Sequence, residues 1–197
     1  MMTRLPSWGD LMALMRITLN DPRDGAARIL GDMPPREAQW LLFALVVVLT
    51  VFAGELATLL LVGSAASVIN LAALQAGVFL LMALAMYYVG RMFGGVGAFD
   101  GALMLVAWLQ FIFIFVQIAQ VLLLVMLPLA GFLIVLFSVL LFLWLVVNFT
   151  AELHGFQSLG WVLLGTIAVM IVAGIGVIAI SNAFGVEVMS NPAAAAS

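Results

Sequence analysis

The sequence predicts an all-α polytopic membrane helix bundle of about five spans. Three observations carry that prediction. Hydrophobic residues make up 67% of the chain and charged residues only 8%, where a soluble domain is roughly half apolar and a quarter charged. The apolar residues beyond Trp40 are gathered into runs of about twenty, the length an α-helix needs to cross a bilayer. Apart from Glu55, the charged residues fall outside these runs rather than within them. No water-soluble core could hide so much apolar surface, so lipid is the solvent for most of the chain.

Residues 1–39 read as a cytoplasmic segment of short amphipathic helices at the membrane interface. Ser7 is placed to cap a helix to Asn20, with Asp10 in the third position, where a carboxylate favours the helix N-terminus. Trp8, Leu11, Met12, Met15 and Leu19 fall on one face, and the helix is expected to lie near the membrane plane with Trp8, Met12 and Met15 buried. Asp21-Pro22 ends this helix and opens a second, since Asp caps and Pro suits the first helical position. The second runs to Leu30, with Gly31 as stop and Pro34-Pro35 as break. Such a pair lies on the bilayer, grips a soluble partner, or packs as a docking element under the membrane helices. Five Arg and five acids precede the first long apolar run, which is not the pattern of a cleavable signal.

Residues 40–185 are expected to form the bundle. The first span is Trp40 to Val62, and a small-residue turn, Gly63 to Ser67, leads to the second, Val68 to Val89. The third is Gly101 to Met126. Pro128 marks a tight reversal into the fourth, Leu129 to Thr150. A second polar turn, Ala151 to Gly160, holds Glu152 and His154, and the fifth span is Trp161 to Ala183. Residues 186–197 read as a short tail of low complexity.

Orientation follows from arginine, because acids contribute little to the rule that sets it. Five of the six Arg precede the first span, and the sixth, Arg91, lies two crossings later. The N-terminus and the Arg91 turn are therefore expected to be cytoplasmic and the C-terminus outside. Trp40, Tyr87, Tyr88 and Trp161 fall at the cytoplasmic interface, where amphipathic rings settle.

The polar residues inside the spans are few. Glu55 is the one clearly intramembrane acid. At 1.5 Å per residue it lies ~6 Å to the outer side of the midplane, Gln75 ~7 Å and Gln117 ~6 Å. One carboxyl and two amides from three helices thus share a depth. A carboxylate there is costly unless it is neutralised or hydrogen-bonded, and the amides can supply donors. The layer reads either as interhelical glue or as a proton or cation site. Gln110, Gln117 and Gln120 mark a polar face of the third span, which faces the bundle interior or a partner chain. Gly165, Ala168, Gly176, Ala179 and Ala183 mark a small-residue face of the fifth, which permits close helix contact.

Enzymatic signatures are sparse. With one histidine there is no HExxH zinc site, and no GxSxG elbow is present. Glu152 and His154 make a pair in a loop, too few for a metal site. No cofactor and no metal is expected. Six Arg, widely spaced, and no Lys do not make a nucleic-acid surface.

The stretch between the second and third spans organises the chain. Gly90, Gly94, Gly95, Gly97 and Gly101 crowd into it with Arg91 and Asp100. They suit a sharp reversal and close packing. Gly90-Arg91, then Gly95-x-Gly97-x-Phe99, then an apolar span opening with Ala102-Leu103 and carrying Trp108, resembles the Yip1 family of small membrane proteins in its bacterial branch. Asp21-Pro22 after a short helix is similar too. The resemblance implies a multi-pass protein of the bacterial inner membrane. It also implies a non-enzymatic scaffold or accessory subunit, working through contacts with the lipid bilayer and with other membrane proteins or itself. The runner-up reading is a small transporter or channel that uses the Glu55/Gln75/Gln117 layer.

Overall fold

The computed structural model describes residues 7–62, 68–168 and 171. These form helices α1 (Trp8–Asn20), α2 (Pro22–Gly31), α3 (Arg36–Val62), α4 (Val68–Met92), α5 (Phe99–Met126), α6 (Pro128–His154) and α7 (Leu159–Ala168). No strand occurs among the described residues. Four of the helices, α3 to α6, are long and apolar enough to cross a membrane. The predicted fifth span begins as α7, and its remainder lies outside the described residues, as does the Gly63–Ser67 turn.

Local chemistry sets the helix ends. Ser7 Oγ accepts the Asp10 N–H at 3.2 Å, and the Asp10 carboxylate accepts from the Ser7 N–H at 2.8 Å and its hydroxyl at 2.7 Å. These reciprocal bonds satisfy donors that a helix start otherwise leaves open. Asp21 closes α1 and caps α2, accepting from the N–H groups of Arg23 (3.0 Å) and Asp24 (3.2 Å). Leu127 alone separates α5 from α6, with Pro128 at the first position of α6, where its missing N–H costs no bond.

The core lies at the end of the bundle that carries α2, the start of α3 and α5, and the finish of α4 and α6. Helix α5 is its axis. Leu103, Leu105, Val106, Leu109 and Ile112 are buried, flanked by Phe43 and Val47 of α3, Phe79 and Met86 of α4, Leu145 and Phe149 of α6, and Ile29 of α2. The N-terminal pair is thus a docking element packed against the bundle. Helix α1 leans along α5. Trp108 Nε1 donates to Thr18 Oγ1 at 3.1 Å, and the Trp8 ring rests 6.2 Å from Phe115, seven residues or ~10 Å further along α5.

One local expectation needs correction. The second polar turn does not begin at Ala151. Helix α6 continues to His154, because its C-terminal residues pack into the core and the helix stops only at Gly155, whose φ of 72° is left-handed. Trp8 leaves 61% of its surface uncovered by the rest of the chain. Its ring covers Phe115 with one side only, while Met15 and Leu14 reach the core.

Candidate functional site: a polar cavity between three helices

Thr50, Gly54 and Thr58 recur every four residues on α3 and so share one face. With Val51, Glu55 and Ala57 they form one wall of a cavity of about 370 Å³, which Leu71 and Gln75 of α4 and Gln117 of α5 complete. The structure therefore brings Glu55, Gln75 and Gln117 around a single space. Thr50 Oγ1 donates to the Val46 carbonyl at 2.8 Å and Thr58 Oγ1 to the Gly54 carbonyl at 3.0 Å. Each hydroxyl proton is thus committed to the preceding turn, and the oxygens keep lone pairs to offer. Gln117 reaches in over Gly54, where an added Cβ would stand 3.5 Å from its Nε2.

The other amides of α5 turn inward to different partners. Gln110 Nε2 faces Met82 Sδ of α4 at 3.9 Å. Gln120, roughly 60° round the helix from Gln117, donates to Ser138 Oγ of α6 at 2.8 Å, and Ser138 donates to the Val135 carbonyl at 2.7 Å.

At the opposite end of the bundle the glycine turn closes on His154. Gly94 makes the reversal, with φ 86°, and Gly95 N–H bonds the Gly90 carbonyl at 2.9 Å, the pattern of a helix that ends on a left-handed residue. The neighbouring glycines serve close approach. A Cβ on Gly90, Gly95 or Gly97 would fall 2.0–2.8 Å from His154 atoms. A Cβ on Gly101 would meet Leu153 at 2.8 Å and Leu30 at 2.9 Å. His154, 3% exposed, accepts the Gly97 N–H on Nδ1 at 3.1 Å and uses Nε2 toward the Met86 carbonyl at 3.0 Å. Phe156 stacks on its ring, centroids 5.6 Å apart. With both nitrogens used, His154 is a structural pin rather than half of a metal pair with Glu152. Among the described residues no three His, Cys, Asp or Glu gather as ligands.

Charged and aromatic groups brace the same end. Arg36 Nε and Nη2 both donate to Asp100 Oδ1, at 3.1 and 3.0 Å, joining the starts of α3 and α5. Arg91 donates to Tyr87 Oη at 3.2 Å and lies over its ring. Phe99 sits edge-on to Tyr87 at 6.0 Å and tilts toward Trp40 at 6.4 Å. Arg23 donates to the Phe156 carbonyl, fastening α2 beyond the end of α6. Sequence reading missed the Thr18, Arg23 and His154 contacts. The available signals were the glycines: Gly25 meets Thr18, where an added Cβ would fall 2.7 Å from its Cα.

A larger apolar groove of about 700 Å³ runs between α4, α6 and α7, lined by residues such as Leu81, Met86, Phe93, Phe142, Val146 and Trp161. Of the predicted small-residue face, Gly165 lines this groove opposite Phe93 and Ala168 is exposed. Gly176, Ala179 and Ala183 lie outside the described residues.

A family model described as the Yip1 domain matches residues 17–180, from the last turn of α1 through all four long apolar helices. No curated protein and no solved structure matches the chain. The matched segment holds both the polar cavity and the glycine turn pinned by His154, and over that span the chain belongs to the Yip1 family, as a multi-pass membrane protein.

Proposed function

We propose that this protein is a non-enzymatic scaffold or accessory subunit of the bacterial inner membrane. It holds other membrane proteins, or further copies of itself, by helix–helix contact, with its N-terminus cytoplasmic. One observation carries the reading: the bundle is packed at one end and spread at the other. Beyond the core, the first half of α6 presents Leu129, Phe132, Leu133, Leu136, Phe137 and Leu140, each more than half exposed. It is held to α5 by Gln120–Ser138 and by a close crossing at Gly131, where a Cβ would fall 2.7 Å from the Leu124 backbone. A braced two-helix arm with an apolar outer face suits van der Waals packing, the main attraction between helices in lipid.

Photo-crosslinking residues at Phe132, Leu136 and Leu140 in native membranes test the proposal. Discrete protein adducts from these positions, absent from the buried position Leu145, are expected. Adducts to lipid alone at all three would overturn it. A small transporter or channel is the second reading, favoured by the polar cavity.

A further inference from the structure

The cavity around Glu55 is larger than interhelical glue requires. Here Thr50, Glu55, Thr58, Gln75 and Gln117 line an open pocket of about 370 Å³, room for roughly a dozen waters at about 30 Å³ each. The chemistry facing that room is biased. Both threonine hydroxyls donate to carbonyls of their own helix, so toward the cavity they act as acceptors. Glu55 adds carboxyl oxygens, and each Gln adds an amide that can turn its oxygen or its nitrogen to the space, with Gln117 Nε2 lying toward Gly54. Among the described residues no Arg, Lys or His lines the space. Oxygen donors, one acid and no base form a cation's surroundings. One carboxylate among neutral oxygens suits a single positive charge, and the volume leaves room for part of a hydration shell.

We propose that this cavity is a binding site for a partly hydrated monovalent cation, with Glu55 as the charged ligand and Thr50, Thr58, Gln75 and Gln117 as neutral oxygen ligands. Binding there ties α3, α4 and α5 together in the loosely packed half of the bundle, away from the core around Leu103 and Leu109. The site stands whether the protein is a scaffold or moves the ion, because it requires occupancy and not passage.

The test is thermal unfolding of the full-length protein in detergent, with sodium chloride exchanged for choline chloride at constant ionic strength. A cation that binds the folded state raises Tm as its concentration rises above its Kd, whereas choline is too bulky to share the oxygen ligands closely. The wild type should show a saturable rise in Tm with sodium. The rise should vanish in Glu55→Gln, which keeps shape and hydrogen-bonding capacity, and shrink in the Thr50→Val, Thr58→Val double variant, which keeps shape and removes two oxygens. Should Glu55→Gln not fold, the double variant decides. Equal wild-type Tm in the two salts, or an undiminished sodium response in the variants, would overturn the proposal and leave the layer as glue. Crosslinking from α6 reads the scaffold proposal separately, so the two can fail independently.

Discussion

His154 Nδ1 accepts the Gly97 N–H at 3.1 Å, joining the end of α6 to the turn that launches α5. Since the Gly97 N–H can only donate, Nδ1 carries no proton, and the proton on Nε2 points to the Met86 carbonyl. A single neutral imidazole therefore satisfies one backbone donor and one acceptor from two different segments. The glycines around it are small because the ring occupies the place of their side chains.

That relationship predicts a rescue. Gly90→Ala places a methyl 2.0 Å from His154 Nε2, and the ring cannot step aside while Gly97, Met86 and Phe156 hold it. The substitution should cost about 1–3 kcal/mol, the usual range for overpacking. Adding His154→Ala should recover part of that loss, since it removes the obstacle. Denaturation in mixed micelles measures both. Equal stability of Gly90→Ala and wild type would show that the ring is not pinned.

The contact of α1 and α2 with α5 rests on Thr18. Thr18→Val keeps the side chain's shape but leaves the Trp108 N–H without its acceptor. An unsatisfied buried donor costs about 1–3 kcal/mol. Gly25→Ala should be harsher still, because the new methyl meets the Thr18 backbone and not only its side chain. Both variants should raise hydrogen exchange across 8–31 while α5 and α6 keep their protection.

Gln120→Leu removes the donor to Ser138 between α5 and α6. Hydrogen bonds between membrane helices average about 0.6 kcal/mol, and Ser138 retains its own bond to Val135. The loss should therefore be small, well under that of Gly90→Ala. A loss as large as that of Gly90→Ala in the same denaturation assay would mean that this bond holds the whole α5–α6 arm.

Acid should loosen the start of α1. The Ser7 hydroxyl and N–H donate to Asp10 and hold its carboxyl below the ordinary aspartate range. A folded-state value lower than the unfolded one stabilises α1 above the unfolded pKa, and that contribution is lost as pH falls through the folded value. Amide exchange over residues 8–12, corrected for intrinsic rates, should lose protection only below about pH 4. Asp10→Asn should show weaker protection at neutral pH and no such acid step.

The sequence by itself determined the helical membrane class, the tight reversal at Pro128, the caps at Ser7 and Asp21 and the bounds of the long helices to within a few residues. Each of these depends on residues near one another in the chain. Lengths of apolar run are measured against the bilayer, and caps and turns act within about four residues. The same ruler predicts a shared depth for Glu55, Gln75 and Gln117, and the three line one pocket. Only the tertiary structure decided which way each helix faces. Apart from Gln110, Gln117 and Gln120 helix α5 is apolar all round, and lipid tails are as apolar as a leucine core, so composition does not tell which neighbour each part of it meets. That choice turns Leu103 and Leu109 into the core and sends Gln117 to the α3–α4 cavity and Gln120 to α6. It was likewise the packing that set His154 among glycines 57 to 64 positions earlier in the chain. No local pattern in the sequence records a contact between residues so far apart.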